Sequence, residues 1–536
     1  MAVYRVEVSA AQGPQSEGAA VAAALREAGL ADVTGVRLSR LFFLEGGLDA
    51  DTARAVGERL LVDPVTERIA IWGESDPVPD PSDGAVAVEV HPRPGVMDPV
   101  AESTLAEVRA AGFAVEAVRT ARRYELLTGA PRDQLLRAVG RVLANDCIEQ
   151  VVAGTAGVRP ARHPPAADSR LRHVPLTHRT DAELEKLARE AHLFLSLEEM
   201  RAIQAHFRTL GREPTDLELE TIAQTWSEHC VHKTLKSAVT YRGAPLPGSG
   251  VTGTETRRYG NLLKDTIARA TEELIAAGRG PRCLSVFKDN AGVIAFDEDT
   301  AVAFKVETHN HPSAIEPYGG AATGVGGVIR DVIGCGLGAR PIANTDVFCV
   351  APADWPQDPL PRGVLHPWRV LRGVVKGVAD YGNRMGIPTV NGAVVFDPRY
   401  LGNPLVFCGC VGLMPRTAIE KGARPGDRIV VIGGRTGRDG IHGATFSSAE
   451  LHEKSEVVSS GAVQIGNAIE EKRAMDVVLQ CRDTGCFSSL TDCGAGGLSS
   501  ACGEIAAEHG CVVDLDKVPL KYAGLSYAEI WISESQ

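Results

Sequence analysis

The chain has 536 residues, 44% of them hydrophobic and 23% charged, with a formal net charge of −12. This is the composition of a globular protein long enough for several domains, and its acidity argues against a sequence-independent nucleic-acid binder. Because no apolar run approaches the roughly 20 residues of a membrane span and no signal segment opens the chain, we expect a cytoplasmic protein without a membrane partner.

Residues 1–154 contain an internal repeat. The string RAVG occurs at Arg54–Gly57 and again at Arg137–Gly140, 83 positions later, and Gly29 and Gly112 keep the same offset. Matches in one register indicate a duplication. Each copy alternates strand-like and helix-like segments, which predicts two small α+β units that pair their sheets as an internal dimer. Neither copy clusters an acid, a base or a nucleophile, so we expect a scaffold role.

A linker is predicted at 155–215. Its first part, to about His178, is rich in Pro, Arg and Ala and has no periodicity, which is typical of an extended connection. Helical spacing then predicts two helices, the second of which opens with the cap-like string SLEE. A further helix is predicted to begin near Pro214 and Thr215.

Two α/β domains are predicted in the remainder, at 216–422 and 423–536. In the first, short β-rich runs alternate with glycine-rich loops and helices. Cys408 and Cys410 lie two positions apart on one such run, so both thiols should face the same side of a strand, buried and reduced. In the second domain, the turn at 425–427 leads into a predicted buried strand, and the final run EIWISESQ has a strand-like pattern.

The stretch 305–331 combines ionisable side chains with a run of glycines, which we interpret as a loop whose backbone N–H groups approach an anion. Lys305 would supply a point charge for phosphate. The acids Glu307 and Asp331, joined by Asp492 from a later segment, could converge on a magnesium ion. For each acid taken singly, the alternative is an ordinary solvated loop residue.

Histidines accompany these acids. His309 and His311 could bind a metal, act in acid–base catalysis or hydrogen-bond a loop. No third soft ligand is visible nearby, which favours acid–base work or substrate contact over zinc. His229 lies near a helix end beside Cys230. Neighbouring helical residues point about 100° apart, so we discount a Cys–His nucleophile pair.

A second glycine-rich loop is predicted at 433–448. It offers Arg435 and Arg438 to anionic groups. Neither glycine run matches the phosphate loop GxxxxGK[ST] or a GxGxxG that opens a helix after a strand. Glycine content alone equally fits tight turns, so it does not identify a nucleotide site.

Six strings follow one another along the chain: QTWSEHC at Gln224–Cys230, KVETHNHPSAIEPYGGAATGVGG from Lys305, RD at Arg330–Asp331, TGRDGIHGATF from Thr436, TDCGAGGLSS from Thr491 and ESQ at Glu534–Gln536. Taken together and in this order, these strings resemble the phosphoribosylformylglycinamidine synthase family of purine biosynthesis. The front repeat resembles the small accessory subunit of that family, duplicated and fused. The resemblance implies an α/β and α+β multidomain fold, with tandem accessory-subunit-like units, a helical linker, an aminoimidazole-ribonucleotide-synthetase-like N-terminal domain and an incomplete C-terminal domain.

The resemblance implies a role for each matching residue. The active-site histidines would be His229 and His309, the second as proton acceptor. The ATP contacts would be Lys305 and His232, although short forms of the family have a tyrosine at the latter position. The magnesium ligands would be Glu307, Asp331 and Asp492. The substrate positions would be Thr308, His309, Asn310, His311, Arg330, Gln464, Glu534, Ser535 and Gln536.

The activity implied is that of a ligase dependent on ATP and Mg2+. ATP would phosphorylate the amide of formylglycinamide ribonucleotide, and ammonia from a glutaminase domain or subunit would displace phosphate from the iminophosphate. The family's synthetase has two related halves, so we expect this chain to be an N-terminal part whose partner is the missing C-terminal synthetase half. Two alternatives stay open: a same-fold enzyme such as aminoimidazole ribonucleotide synthetase, and a non-catalytic assembly fragment.

Overall fold

The structure is a computed structural model. It describes residues 2–11, 16–79, 81, 84–93, 98–144, 149–155, 157, 171–280, 282–356, 360–441 and 466–535. These residues form two compact units, the first mainly within 1–165 with a short contribution from Pro356 and Leu360, and the second in most of the remainder. Both units mix helices with strands, as the predicted class requires. None of the helices in these ranges has the length and apolar character of a membrane span. The finer division into four domains stays a prediction.

One six-stranded antiparallel sheet with four helices makes the first unit. The strands are β1 Ala2–Ala10, β2 Gly35–Gly46, β3 Glu67–Gly73, β4 Val86–Pro92, β5 Val115–Leu127 and β6 Glu149–Ala153, and the helices are α1 Ser16–Glu27, α2 Ala50–Val56, α3 Pro99–Ala110 and α4 Arg132–Val142. The strand order is β3-β1-β2-β5-β4-β6. The two copies of the repeat meet at the β2–β5 pair, so the predicted joining of their sheets is confirmed.

Five helices follow at the start of the second unit. They are α5 Asp181–Glu190, α6 Leu197–Leu210, α7 Asp216–Thr225, α8 Glu228–Val231 and α9 Lys233–Lys236. The predicted cap of α6 is confirmed, because Ser196 and Glu199 bond each other's backbone N–H groups reciprocally at 3.3 and 2.8 Å. Thr215 and Glu218 form the same box at the start of α7.

The body of the second unit is a sheet covered on one face by helices. Its strands are β7 Val239–Gly243, β8 Glu255–Tyr259, β9 Cys283–Ser285, β10 Gly292–Ala295, β11 Thr300–Thr308, β12 Arg340–Val350, β13 Thr389–Phe396 and β14 Leu405–Pro415, and its helices are α10 Arg269–Ala276, α11 Asn310–Ile315, α12 Pro317–Ile333, α13 Pro367–Met385, α14 Ala468–Asp483, α15 Gly497–Ile505 and α16 Tyr527–Ile532. The main sheet has the order β13-β12-β14-β11-β10-β9. Cys408 and Cys410 are both buried in the core that this sheet forms with α12 and α13, as predicted.

The glycine run 319–327 is the buried middle of α12, so its prediction as a loop is wrong. A Cβ on Gly326 would lie 2.6 Å from the hydroxyl oxygen of Tyr381 on α13, and one on Gly377 of α13 would meet the carbonyl oxygen of Tyr318. Glycine costs a helix about 1 kcal/mol relative to alanine. Here the absent side chains let the backbones of α12 and α13 approach closely, and the packing gained offsets that cost.

Two predicted strands are wrong within the described residues. Residues 428–432 form no strand, and Val430 and Val431 expose 75% and 51% of their surface. No described strand pairs with this run, and an extended segment needs such a partner for its backbone groups. The run EIWISESQ begins instead inside α16, because Ser526 and Glu529 form a capping box that starts a helix there.

Candidate active site

The charged residues of the stretch 305–331 meet where β11 runs beneath α12. Lys305 and Glu307 continue the alternation of buried residues on β11, so they face the helix-covered side of the sheet. Arg330 and Asp331 lie in the last turn of α12. The Nζ atom of Lys305 lies 2.7 Å from Oδ2 of Asp331. Strand and helix therefore bring together charges that are some 25 positions apart.

Asp492 reaches the same place from the loop before α15. Its Oδ2 lies 2.9 Å from Nε of Arg330, and its Oδ1 accepts a hydrogen bond from Nδ2 of Asn290 at 3.0 Å. Burial and the charge of Asp492 raise the pKa of Asp331 above its ordinary value. Burial would raise the pKa of Asp492 too, but Arg330 holds it below its ordinary value. The charge of Glu307 also acts on Asp331, so the three predicted acids are neighbours.

His309 is fixed by backbone contacts on two sides. Its backbone N–H donates to the Val406 carbonyl at 2.9 Å, and its Nδ1 lies 2.5 Å from the Gly320 carbonyl oxygen in the first turn of α12. A carbonyl oxygen only accepts, so Nδ1 carries the hydrogen and Nε2 keeps the lone pair. Burial lowers the pKa of this imidazole, against the opposing charge of Glu307. The ring is therefore neutral near pH 7 and can accept a proton at Nε2.

His229 lies on the short helix α8. The residue is exposed, yet the surrounding protein atoms lower its pKa by desolvation, and the charges of Glu307 and Arg330 act on it. It is thus a second imidazole near the same charged groups. His232 follows α8 in the left-handed region, with φ of 56°, and is exposed. Burial raises the pKa of Cys230, which fits its dismissal as a nucleophile.

Three further predicted positions follow β11 directly. Thr308 ends the strand and is exposed. The side-chain oxygen of Asn310 accepts the Val406 N–H at 2.9 Å, which ties this turn to β14. Burial lowers the pKa of His311, and its buried Nδ1 has no hydrogen-bond partner among the residues that the structure describes. Such an atom is available to a ligand.

The segment 533–535 is buried against the loop 434–440. The Ser535 hydroxyl accepts the Gly437 N–H at 3.0 Å and donates to Asp439, which is also 2.8 Å from Nζ of Lys521. The Gly496 N–H donates to Oε1 of Glu534 at 3.2 Å. Burial raises the pKa of Glu534 to about 8, against the opposing charge of Arg330. Glu534 therefore lies within electrostatic reach of the charged cluster.

Arg438, predicted to serve anionic groups, is engaged elsewhere. Its Nε lies 2.6 Å from Glu529, and its guanidinium stacks over Tyr522 at 5.6 Å. Arg435 from the same loop is exposed. The predicted substrate residues Gln464 and Gln536 lie outside the described residues, as does the part of the predicted loop from 442 onward.

Four protein-family models match successive parts of the chain. They are the Phosphoribosylformylglycinamidine (FGAM) synthase model PurS at 85–154, the Formylglycinamide ribonucleotide amidotransferase linker domain at 184–233, and the N-terminal and C-terminal domains of AIR synthase related protein at 288–414 and 424–536. The chain belongs to the phosphoribosylformylglycinamidine synthase family. Residues 85–154 are the second copy of the internal repeat.

Curated relatives of this synthase family match about two thirds of the chain. Phosphoribosylformylglycinamidine synthase subunit PurL of Thermoplasma volcanium is 42% identical over 370 residues, covering 68% of this chain and 44% of the relative. The same subunit of Thermoplasma acidophilum is 42% identical over 360 residues, covering 66% and 42%. The structure of T. maritima PurL complexed with FGAR aligns with a TM-score of 0.47 and 35% identity, covering 63% of this chain and 46% of that one. The chain spans less than half the length of these relatives.

Sequence reasoning about this synthase-family chain missed Asn290 and Lys421. Asn290 donates to Asp492, and the neighbouring Asp289 lies 2.6 Å from Nζ of Lys421. Lys421 also donates to the Leu490 carbonyl at 2.7 Å. These contacts hold the loop that carries Asp492. A short polar run such as KDN carries no signal of its own, because its partners are far away along the chain.

The acids of this synthase-family site suit a magnesium ion that arrives with a nucleotide. Within the described ranges, no three His, Cys, Asp or Glu side chains form a complete metal site. Magnesium usually takes one or two carboxylates and fills its shell with phosphate and water. Asp331 and Asp492 repel each other, as the raised pKa of Asp331 indicates, and a divalent cation would relieve that repulsion. The donors therefore fit magnesium and not a soft metal with three protein ligands.

Proposed function

We propose that this chain is the synthetase part of an enzyme that converts formylglycinamide ribonucleotide, ATP and ammonia into formylglycinamidine ribonucleotide. The observation that carries the proposal is the meeting of two cations, three acids and two neutral imidazoles along α12 and the neighbouring end of β11. Membership of the synthase family supports the same conclusion. The chain's relatives are more than twice the length that it covers, so the complete reaction belongs to a larger assembly.

The first chemical task is to make an amide oxygen into a leaving group. ATP would phosphorylate that oxygen, and the protein contributes mainly by offsetting charge on the phosphoryl group. Lys305 would bind phosphate oxygens, and Arg330 would bind the substrate next to them. Asp331 and Asp492, with Glu307 beside them, would hold magnesium, which supplies positive charge to the nucleotide phosphates when bound.

The second task is to remove a proton as ammonia attacks the activated carbon. His309 suits it, because its Nδ1 hydrogen is held by the Gly320 carbonyl and its Nε2 lone pair can accept a proton. The lowered pKa keeps the ring neutral before the step. His229 is a second neutral imidazole near Glu307 and would assist activation of the amide.

The remaining predicted residues would bind the ribonucleotide and ATP. Thr308 is exposed beside His309, and the unpaired Nδ1 of His311 can bond a polar substrate group. Glu534 and Ser535 approach from the opposite end of the chain. The exposed His232 would contact the nucleotide.

A partner surface is proposed on the bare face of the main sheet. Ile294, Phe304 and Val306 expose 44%, 45% and 41% of their surface, and every residue of β13 is exposed. On β11, Phe304 and Val306 alternate with Lys305 and Glu307, so they lie on the face opposite α12. We assign this face to the C-terminal half of the synthetase. A glutaminase domain or subunit would supply ammonia to the assembled enzyme.

A reconstitution assay tests the proposal. The chain is combined with the C-terminal half of a full-length relative and given formylglycinamide ribonucleotide, magnesium ATP and an ammonium salt. We expect product and ADP in equal amounts from the combination. If the combination forms no product from these three substrates while the full-length relative does, the proposal is wrong.

The metal assignment is tested by Glu307→Gln in the active assembly. We expect the magnesium concentration for half-maximal rate to rise by about tenfold or more, because one charged ligand contact is lost. Glu298→Gln is the matched control, since Glu298 is exposed in the turn before β11. An unchanged magnesium dependence in Glu307→Gln would remove this residue from the metal site.

A further inference from the structure

Two adjacent rows of polar residues cross the main sheet beneath α12 and α13. In the first row, Asn344 of β12 pairs with Cys410 of β14, and Cys410 pairs with Lys305 of β11. On its other side Asn344 pairs with Thr389 of β13. This row therefore runs from the charged site to the edge strand.

The second row lies two residues farther along each strand. Asp346 of β12 pairs with Cys408 of β14, and Cys408 pairs with Glu307. Residues two apart on a strand share a face, so Asn344 and Asp346 lie side by side on the helix-covered face. They keep only 1% and 4% of their surface exposed. An amide and a carboxyl are thus enclosed in a core that is otherwise mostly aliphatic.

Their hydrogen bonding is incomplete. Oδ2 of Asp346 accepts the Thr389 hydroxyl at 2.8 Å. Oδ1 of Asp346, and both Nδ2 and Oδ1 of Asn344, are buried and make no hydrogen bond of good geometry within the described part of the chain. The thiol of Cys408 is the nearest candidate for Asp346, since it opposes the rise that burial causes in the pKa of this carboxyl. One unpaired donor and two unpaired acceptors therefore lie on neighbouring positions of one strand. Buried polar groups in folded proteins are almost always paired with protein or with ordered water.

The chemistry of these three atoms selects the ligand. A metal ion would engage the two oxygens but would leave the Nδ2 donor of Asn344 unpaired. A water molecule both donates and accepts, and buried waters typically make about three hydrogen bonds to such atoms. Gly382 of α13 passes over this point, and even an added Cβ there would remain 4.0 Å from Nδ2 of Asn344. Gly382 itself therefore has no side chain that could fill this position.

We propose that Asn344 and Asp346 form an internal water-binding site between β12 and α13, holding one or two water molecules. The site lies in the same two rows as Lys305 and Glu307 but is separated from them by the thiols of β14. The inference is independent of the proposed reaction, since it rests on burial and unpaired atoms alone.

A high-resolution crystal structure of the unmodified chain tests this directly. We expect ordered water within about 3.2 Å of Asp346 Oδ1 and of the Asn344 amide. Clear density showing these atoms dry, or bonded to each other after side-chain rotation, would overturn the proposal. A monovalent cation in their place, recognised by its higher coordination, would also overturn it.

Magnetic relaxation dispersion of water oxygen-17 gives a second measurement in solution, because it counts long-lived internal waters. Asn344→Leu is expected to lower the long-lived water count by one or two, since it removes both unpaired amide atoms. Asn391→Leu on β13 is the matched control, since Asn391 is exposed, and it should leave the count unchanged. An equal count in both folded variants contradicts the site, and if Asn344→Leu does not fold, the crystal structure of the unmodified chain decides.

Discussion

The burial of Glu534 predicts that stability falls as pH rises. Its pKa is about 8 in the folded chain, against an ordinary value of 4.5, because burial disfavours the charged form. The folded chain therefore binds this proton more tightly than the unfolded chain. Well below pH 4.5 the carboxyl is protonated in both states and does not lower the unfolding free energy. As the pH rises to about 8, the loss of unfolding free energy grows progressively. Between about pH 5.5 and pH 8 the loss of unfolding free energy from this one group is about 3 kcal/mol.

Glu534→Gln isolates this contribution, because the amide has nearly the same shape and does not titrate in this range. Urea unfolding of both proteins is measured at several pH values, and the difference in unfolding free energy is plotted against pH. We expect the unfolding free energy of the variant, relative to that of the unmodified chain, to increase by about 3 kcal/mol between about pH 5.5 and pH 8. Glu508→Gln, at an exposed position, is the control. A difference for Glu534→Gln as flat as that for the control would refute the burial argument.

Three further predictions concern the packing and charges of the second unit. Gly377→Ala should lower the unfolding free energy by about 1 to 3 kcal/mol, because the added methyl group collides with α12. Gly503→Ala is the control and should not lower it, since the space around its Cβ is open. Equal effects of the two substitutions in chemical denaturation would contradict the close contact between α12 and α13. Asp492→Asn should lower the unfolding free energy by about 2 kcal/mol in the same measurement, because it leaves Arg330 without its ion-pair partner. An unaltered denaturation midpoint would show that this ion pair does not contribute to stability. Lys305→Met should weaken ATP binding at least about tenfold by calorimetry, and retained affinity would exclude it as a phosphate contact.

Much of the fold followed from local patterns. The repeat predicted that two α+β units would share a sheet, and the structure joins them at β2 and β5. Helical spacing located α5, and the serine and glutamate of SLEE located the start of α6. These features depend on residues that are close in sequence, or on a comparison of the chain with itself. Such information is fully present in one sequence.

Errors arose where distant contacts decide the structure. The glycines of α12 looked like a loop because their helix is stabilised by α13, which lies about fifty residues later. The last residues were predicted to be a strand because they form an apolar run, and the capping box of Ser526 and Glu529 that starts a helix there was overlooked. In the site, the acids Glu307, Asp331 and Asp492 were found from residue type. Their pairing with Lys305, Arg330 and Asn290 required the folded chain.

The position of α12 has a consequence for how this site can vary. The carbonyl of Gly320, in its first turn, orients the ring of His309, while its last turn carries Arg330 and Asp331. One helix thus positions both the ring that we propose accepts the proton and the two charged side chains that we propose bind the substrate and magnesium. A tilt of this helix would disturb the two tasks at once. Homologues should therefore differ in the loops around α12 and keep the glycines through which α12 packs against α13.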